Sequence, residues 1–203
     1  METIPWFEYD DEDDLGTAQR EFADVLADRA RSWPVDPLST VLLPLPHTPY
    51  RQLLTYLDID DPERNQVVLT IGAHFDGTVV HADKLHNQNF TLPETGTETE
   101  FAFSATGSPT DLARRTADWF EAILDRPLVR CEWLYAGKRY AVRYEYANTG
   151  RGLCEGFEDT LAPSELRKRL TAEGVVRGRG RINRAGLGEP HRIVRVRGNR
   201  TAL

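Results

Sequence analysis

Pro127 constrains this chain more than any other single residue. Upstream of it, "SPTDLARRTADWFEAILDR" places Ser108 at an N-cap position and Pro109 at the first helical position, with Leu112, Thr116, Trp119, Phe120 and Ile123 at helical spacing. A serine hydroxyl accepts a hydrogen bond from an otherwise unpaired N–H of the first turn, and proline there sacrifices none. Asp111, three residues after the cap, makes an imperfect capping box. Downstream of Pro127, Val129, Cys131, Trp133 and Tyr135 alternate with Arg130, Glu132 and Leu134, the period of a strand. The residue before a proline is driven out of the α region, so the helix ends at Arg126. An amphipathic helix is thereby committed to run straight into a strand.

That strand has a partner. Ala136–Gly137–Lys138 reverses the chain, and Tyr140, Val142, Tyr144 and Tyr146 form an apolar row opposed by Arg139, Arg143 and Glu145. The expected hairpin pairs Arg and Glu across a solvent face, at about 0.2–1 kcal/mol a pair, with the Ser108 helix covering its aromatic face.

The remaining elements follow from local periods. Phe22, Val25, Leu26 and Trp33, with Ala18 and Ala30, predict a helix over 16–32, ended by Pro34. Ser39 to Leu45, interrupted by Pro44, reads as an edge strand. "HTPYRQLLTYL" predicts a short helix with Thr48 as cap and Pro49 at its start, followed by an acidic loop from Asp58 to Glu63. "NQVVLTIGAHFDGTVVHAD" is a hairpin about Asp76–Gly77, and Gln88 to Leu92 extend the meander. After a polar loop over 93–100, Phe101 and Phe103 mark a short strand. Two glycine-rich turns follow Tyr146. A helix then begins near Pro163 or Ser164 and stops at Gly174, and "HRIVRVRG" reads as a final strand.

Strands and helices do not alternate strictly, so the expected class is α+β, an antiparallel β-sheet packed by helices in a single domain. It divides into an acidic segment 1–15, a core 16–174 and a basic extension 175–203.

With 203 residues, 40% of them hydrophobic and 28% charged, the chain has the composition of a globular protein that needs no disulfide or metal staple. No apolar run approaches the roughly 18–20 residues of a membrane span, so no membrane partner is expected. The opening "METIPWFEYDDEDD" is acidic where a secretory signal is basic and then apolar, which predicts a cytoplasmic protein. Cys131 and Cys154 fit free thiols or one bridge, and such a compartment favours thiols. Only 3 of the 25 basic residues are Lys, a usage typical of high-GC bacteria.

The net charge of −7 hides a polarity. Residues 1–64 carry 15 acids and 5 bases, residues 65–164 carry 14 and 9, and residues 165–203 carry 3 and 11. Glu8, Asp10, Asp11, Glu12, Asp13 and Asp14 suit a basic protein partner, adding association rate more than affinity. Arg177, Arg179 and Arg181, in "RGRGR", either track phosphates of a nucleic acid or fold over the acidic body.

Reactive residue types are sparse. His74, His81, Asp83 and His86 are of the kinds that hold zinc or iron, yet no HxH, HExxH or CxxC spacing occurs, so neither metal nor cofactor is assigned. Cys131 has no neighbouring histidine, and GxSxG, P-loop and GxGxxG motifs are missing, so the chain reads as a non-enzyme more readily than as an enzyme. Trp133, Tyr140 and Tyr144 line either a ligand cleft or the core side of a sheet.

"ADWFEAILDRPLVRCEW" is similar to the closing segment of some bacterial toxin-immunity proteins, where a helix, a proline and a tryptophan-bearing strand come in succession; Phe120, Pro127, Glu132 and Trp133 carry the likeness. The resemblance implies a non-catalytic protein that binds a macromolecule. The expected function is therefore that of an accessory or immunity-like protein acting through charged surfaces. An enzyme or small-ligand binder with an aromatic and histidine cleft is the alternative, and nucleic-acid binding by the arginine-rich tail is a further one.

Overall fold

A computed structural model describes residues 6–9, 15–33, 35, 38–45, 52–86, 90–173 and 184–198. The fold is α+β, with two antiparallel sheets of five and four strands, and the chain divides into two units, Met1–Leu124 and Asp125–Leu203. Among the described residues, no helix is long and apolar enough to cross a membrane.

The first unit is a meander with two helices. It contains α1 (Thr17–Ala30), β1 (Ser39–Leu45), β2 (Gln52–Asp61), β3 (Gln66–Phe75), β4 (Val79–Lys84), β5 (Phe103–Thr106) and α2 (Pro109–Leu124). Strand order in the sheet follows chain order, with β1 and β5 at the edges. The Asp76–Gly77 turn forms for the expected reason. Asp76 Oδ1 accepts from the N–H groups of Thr78 (2.9 Å) and Val79 (2.8 Å), and Gly77 takes a φ of +108°. Ser108 Oγ caps α2 by accepting from Asp111 N at 3.3 Å.

One face of this sheet, with Leu53, Leu57, Ala73 and Phe75, lies against the helices; the Phe22 ring of α1 stacks on Phe75 at 4.4 Å. Trp6 and Phe7 are also buried, although they stand at the head of an acidic stretch. Phe7 N–H donates to Thr40 Oγ1 at 2.9 Å, and its ring meets Phe120 at 5.5 Å.

Three readings of this half are corrected. The helix expected after Thr48 is the strand β2, and Asp58 to Asp61 belong to that strand rather than to a loop; Thr48 and Pro49 themselves lie outside the described residues. Paired on both sides, β2 is buried on both faces, so it reads as a near-continuous apolar run that mimics a helical stripe. In place of a strand over Gln88 to Leu92, the described residues show a single bridge, His86 to Thr91; Gln88 and Asn89 lie outside them. Phe101 precedes β5 rather than sharing its face, and its carbonyl accepts from Trp119 Nε1 at 2.8 Å.

The second unit holds β6 (Leu128–Tyr135), β7 (Lys138–Tyr146), β8 (Gly152–Phe157), a 3₁₀ turn (Asp159–Leu161), α3 (Ser164–Ala172), the short α4 (Arg184–Leu187) and β9 (Arg192–Arg197). Its sheet runs β8-β7-β6-β9. β8 was not expected from its two glycine-rich turns; Gly174, the expected stop of α3, is outside the described residues.

The β6–β7 hairpin turns through Ala136 (φ 49°) and Gly137 (φ 76°), the two left-handed residues of a tight hairpin turn. Tyr135 pairs Lys138 and Leu134 pairs Arg139, but Trp133 then pairs Ala141, so Tyr140 is an extra residue in the ladder. A one-residue shift sends every later side chain to the opposite face. Val129, Cys131 and Trp133 therefore oppose Glu145, Arg143 and Ala141, while Arg130 and Glu132 oppose Tyr144 and Val142.

The expected division into an aromatic face and a solvent-exposed ionic face is thus wrong: both faces are mixed, and Arg130, Glu132 and Glu145 are 2%, 2% and 3% exposed. Within the first unit α2 packs on α1, and within the second Ala162, Phe157, Leu161, Leu166 and Leu187 pack on the Trp133 row. Both cysteines are free thiols, Cys131 buried and Cys154 half-buried.

Candidate functional site

The histidine hairpin carries a polar row on the face of the first sheet turned away from its helices. Leu54, His74, His81 and Ser104 are successive register partners across β2, β3, β4 and β5. His74 Nδ1 lies 3.3 Å from Gln52 Oε1, and Nε2 lies 3.1 Å from the Phe90 carbonyl. Two acceptors favour a charged ring, yet burial and the neighbouring His81 outweigh them, and the His74 pKa falls below its ordinary value. The Phe90 ring, stacked on Tyr56 at 4.5 Å, holds the crossing loop on this face.

His81 Nδ1 lies 3.1 Å from Ser104 Oγ. Asp83, on the same side of β4, does not complete a Ser–His–Asp relay. Its carboxylate accepts from Thr99 Oγ1, from Thr99 N (2.8 Å) and from Lys84 N (2.6 Å). His86 is exposed and stands off the row in its bridge to Thr91. His74, His81, Asp83 and His86 are therefore not gathered into one coordination sphere: among the described residues, no three His, Cys, Asp or Glu groups are placed to share a metal ion. Beside His81 the loop leaves a hollow of about 640 Å³, with Asp83, Glu98 and Ser104 as further polar walls and Leu92 and Pro93 as apolar ones.

In the second unit, the expected aromatic cleft is filled. Trp133, Tyr140 and Tyr144 are 0%, 4% and 0% exposed, and the ladder shift puts Tyr144 on the face opposite Trp133. Trp133 Nε1 donates to Gly188 O at 3.0 Å, so its polar atom is used internally. Cys131 Sγ lies 3.6 Å from Glu145 Oε1, a carboxylate where nucleophilic activation would need an imidazole.

Charge is concentrated around Glu132. Its carboxylate receives Arg130 Nε at 3.0 Å, Arg139 Nη1 at 3.5 Å and Arg192 Nη1 at 3.8 Å. Arg139 Nη1 is near enough for attraction but makes no aligned hydrogen bond. Strands β6 to β9 carry seven bases (Arg130, Lys138, Arg139, Arg143, Arg192, Arg195, Arg197) against three acids (Glu132, Glu145, Glu155). The cationic excess culminates in the edge strand β9, where Ile193 is 57% exposed, while Arg195 Nε and Nη2 are buried without a hydrogen-bond partner among the described residues.

Of the expected partner-binding residues, Glu8 is exposed, while Asp10, Asp11, Glu12, Asp13, Asp14, Arg177, Arg179 and Arg181 lie outside the described residues. Sequence reading missed Ser104 as the partner of His81, because the pairing of β5 with β4 spans a long loop and leaves no local period. It placed a final strand at "HRIVRVRG", as β9 bears out, but the pairing of that strand with β6 at the sheet edge leaves no local signal. No family model, curated protein or solved structure matches the chain.

Proposed function

We propose that this is a non-catalytic accessory protein, immunity-like in action, that binds a protein partner through charged surfaces. The observation that carries the reading is the edge strand β9. It offers three arginines, Arg192, Arg195 and Arg197, and an exposed Ile193 on a net basic sheet, in a chain of net charge −7. An extended acidic segment suits that edge, since it can add backbone hydrogen bonds while its carboxylates meet the guanidinium groups. The acidic stretch Glu8 to Asp14 supplies a second patch, of opposite sign, for a basic region of the partner.

Cross-linking in the native host followed by association kinetics with the purified partner tests this. Wild-type association should slow as salt rises, and Arg192→Gln with Ile193→Ser should weaken binding by roughly tenfold or more, as expected for an anchoring pair. Unchanged affinity in that variant would remove β9 from the interface. A gel shift of single-stranded oligonucleotide that disappears at high salt would replace the protein partner with a nucleic acid.

A further inference from the structure

The hollow beside His81 lies in the other unit and has a different chemistry. Its volume, about 640 Å³, falls within the roughly 300–1,000 Å³ of small-molecule sites. Two of its polar walls are carboxylates, Asp83 and Glu98, and the described lining residues include neither Lys nor Arg. Glu98 is held anionic: it accepts from Gly96 N at 3.0 Å, and backbone hydrogen bonds lower its pKa. Asp83 is 3% exposed and uses three of about four acceptor positions on Thr99 and Lys84, which leaves one for a ligand. His81 and Ser104 are tied to each other through Nδ1, and His81 Nε2 makes no hydrogen bond among the described residues. Leu92, Pro93 and Phe103 supply the apolar part of the lining.

We infer that this hollow is a binding site for a small organic cation, an amine carried on an apolar or aromatic body. The ammonium group is placed between Asp83 and Glu98, where it donates a charge-assisted hydrogen bond to each. The body of the ligand lies against Leu92 and Pro93 and replaces water there. A neutral analogue loses the ion pairs, and an acid meets two like charges. The discrimination is therefore by charge first and shape second.

Titration of the intact protein with benzylamine, phenethylamine and tyramine, followed through the His81 ring resonances, provides the test, with benzyl alcohol and phenylacetate as neutral and anionic controls. At least one amine should bind saturably and shift His81, while the two controls leave it unmoved. Glu98→Gln, at an exposed position that bears no core contact, should weaken the amine by roughly two- to fivefold, the range for an exposed ion pair. Asp83→Asn should weaken it further, and an unchanged amide spectrum elsewhere establishes that the variant is folded. Failure of all three amines to bind, equal binding of amine and alcohol, or Glu98→Gln without effect would each overturn the assignment.

Discussion

Glu132 is a buried carboxylate of the second unit, 2% exposed. Glu132→Gln keeps the shape of the side chain and removes its charge. The side chains of Glu132 and Arg130 are 3% and 2% exposed, so solvent does little to screen them. Deleting one member of such a buried pair costs about 3–5 kcal/mol, because a buried charge loses its nearest counter-charge. The outer partners contribute less: Arg139 and Arg192 side chains are 34% and 59% exposed, and pairs of that kind contribute about 0–1 kcal/mol each.

The effects should therefore be asymmetric. Glu132→Gln takes the carboxylate away from three guanidinium groups, Arg130 at 3.0 Å among them, whereas Arg130→Met still leaves Glu132 with Arg139 and Arg192 and costs less. Arg192→Gln should cost below about 1 kcal/mol. Urea unfolding, with amide exchange of β6 and β7 reporting on this unit, measures each. With an m-value of about 1–2 kcal/mol/M, Glu132→Gln lowers the midpoint by at least about 1.5 M. The double replacement Arg130→Met with Glu132→Leu removes both charges together and should recover most of the loss. A Glu132→Gln cost below about 1 kcal/mol, or a double replacement as costly as the sum of the singles, would refute the reasoning.

Two further outcomes concern the first unit. His74 has a folded pKa below its unfolded value of about 6.5, so the unfolded state binds the proton first; stability is unaffected above that pH and is lost as pH falls toward the folded pKa. His74→Gln should flatten this acid slope in denaturation measured between pH 8 and pH 5, and an unchanged slope would assign it to other groups. Gly72→Ala should destabilise β3 by about 1–3 kcal/mol, because a Cβ there would meet Thr55 O and Tyr56 Cβ, both at 2.8 Å, and Leu85 Cδ1 at 2.6 Å. Gly186→Ala meets nothing within 4 Å and serves as the control in thermal melts.

Much of the fold was legible because its signals are local. The cap at Ser108, the stop at Pro127, the Asp76–Gly77 turn and the proline-broken edge strand each express steric or hydrogen-bonding rules that act over a few residues. β2 was misread because burial on both faces erases the period that separates strand from helix. The faces of the β6–β7 hairpin were misread for a different reason. With no bulge at Tyr140, Trp133 would pair Tyr140 and Cys131 would pair Val142, which gives the clean aromatic face expected from the alternation. A bulge carries no signature in residue type here, yet it moves Arg130 and Glu132 into the interior row beside the tyrosines.

The candidate sites divide along the same line. His74 and His81 were visible as residues, but their row with Leu54 and Ser104 needs the register of four strands. The basic end was visible as charge, but not as a sheet edge, since the pairing of β9 with β6 joins segments some 60 residues apart.

Amide hydrogen exchange of the free protein and of its complex with the cross-linked partner probes the binding role of β9 most directly. The expected result is added protection of the amides of Arg192–Arg197, with β8 at the other edge of the same sheet unchanged. Protection that leaves Arg192–Arg197 untouched would contradict it.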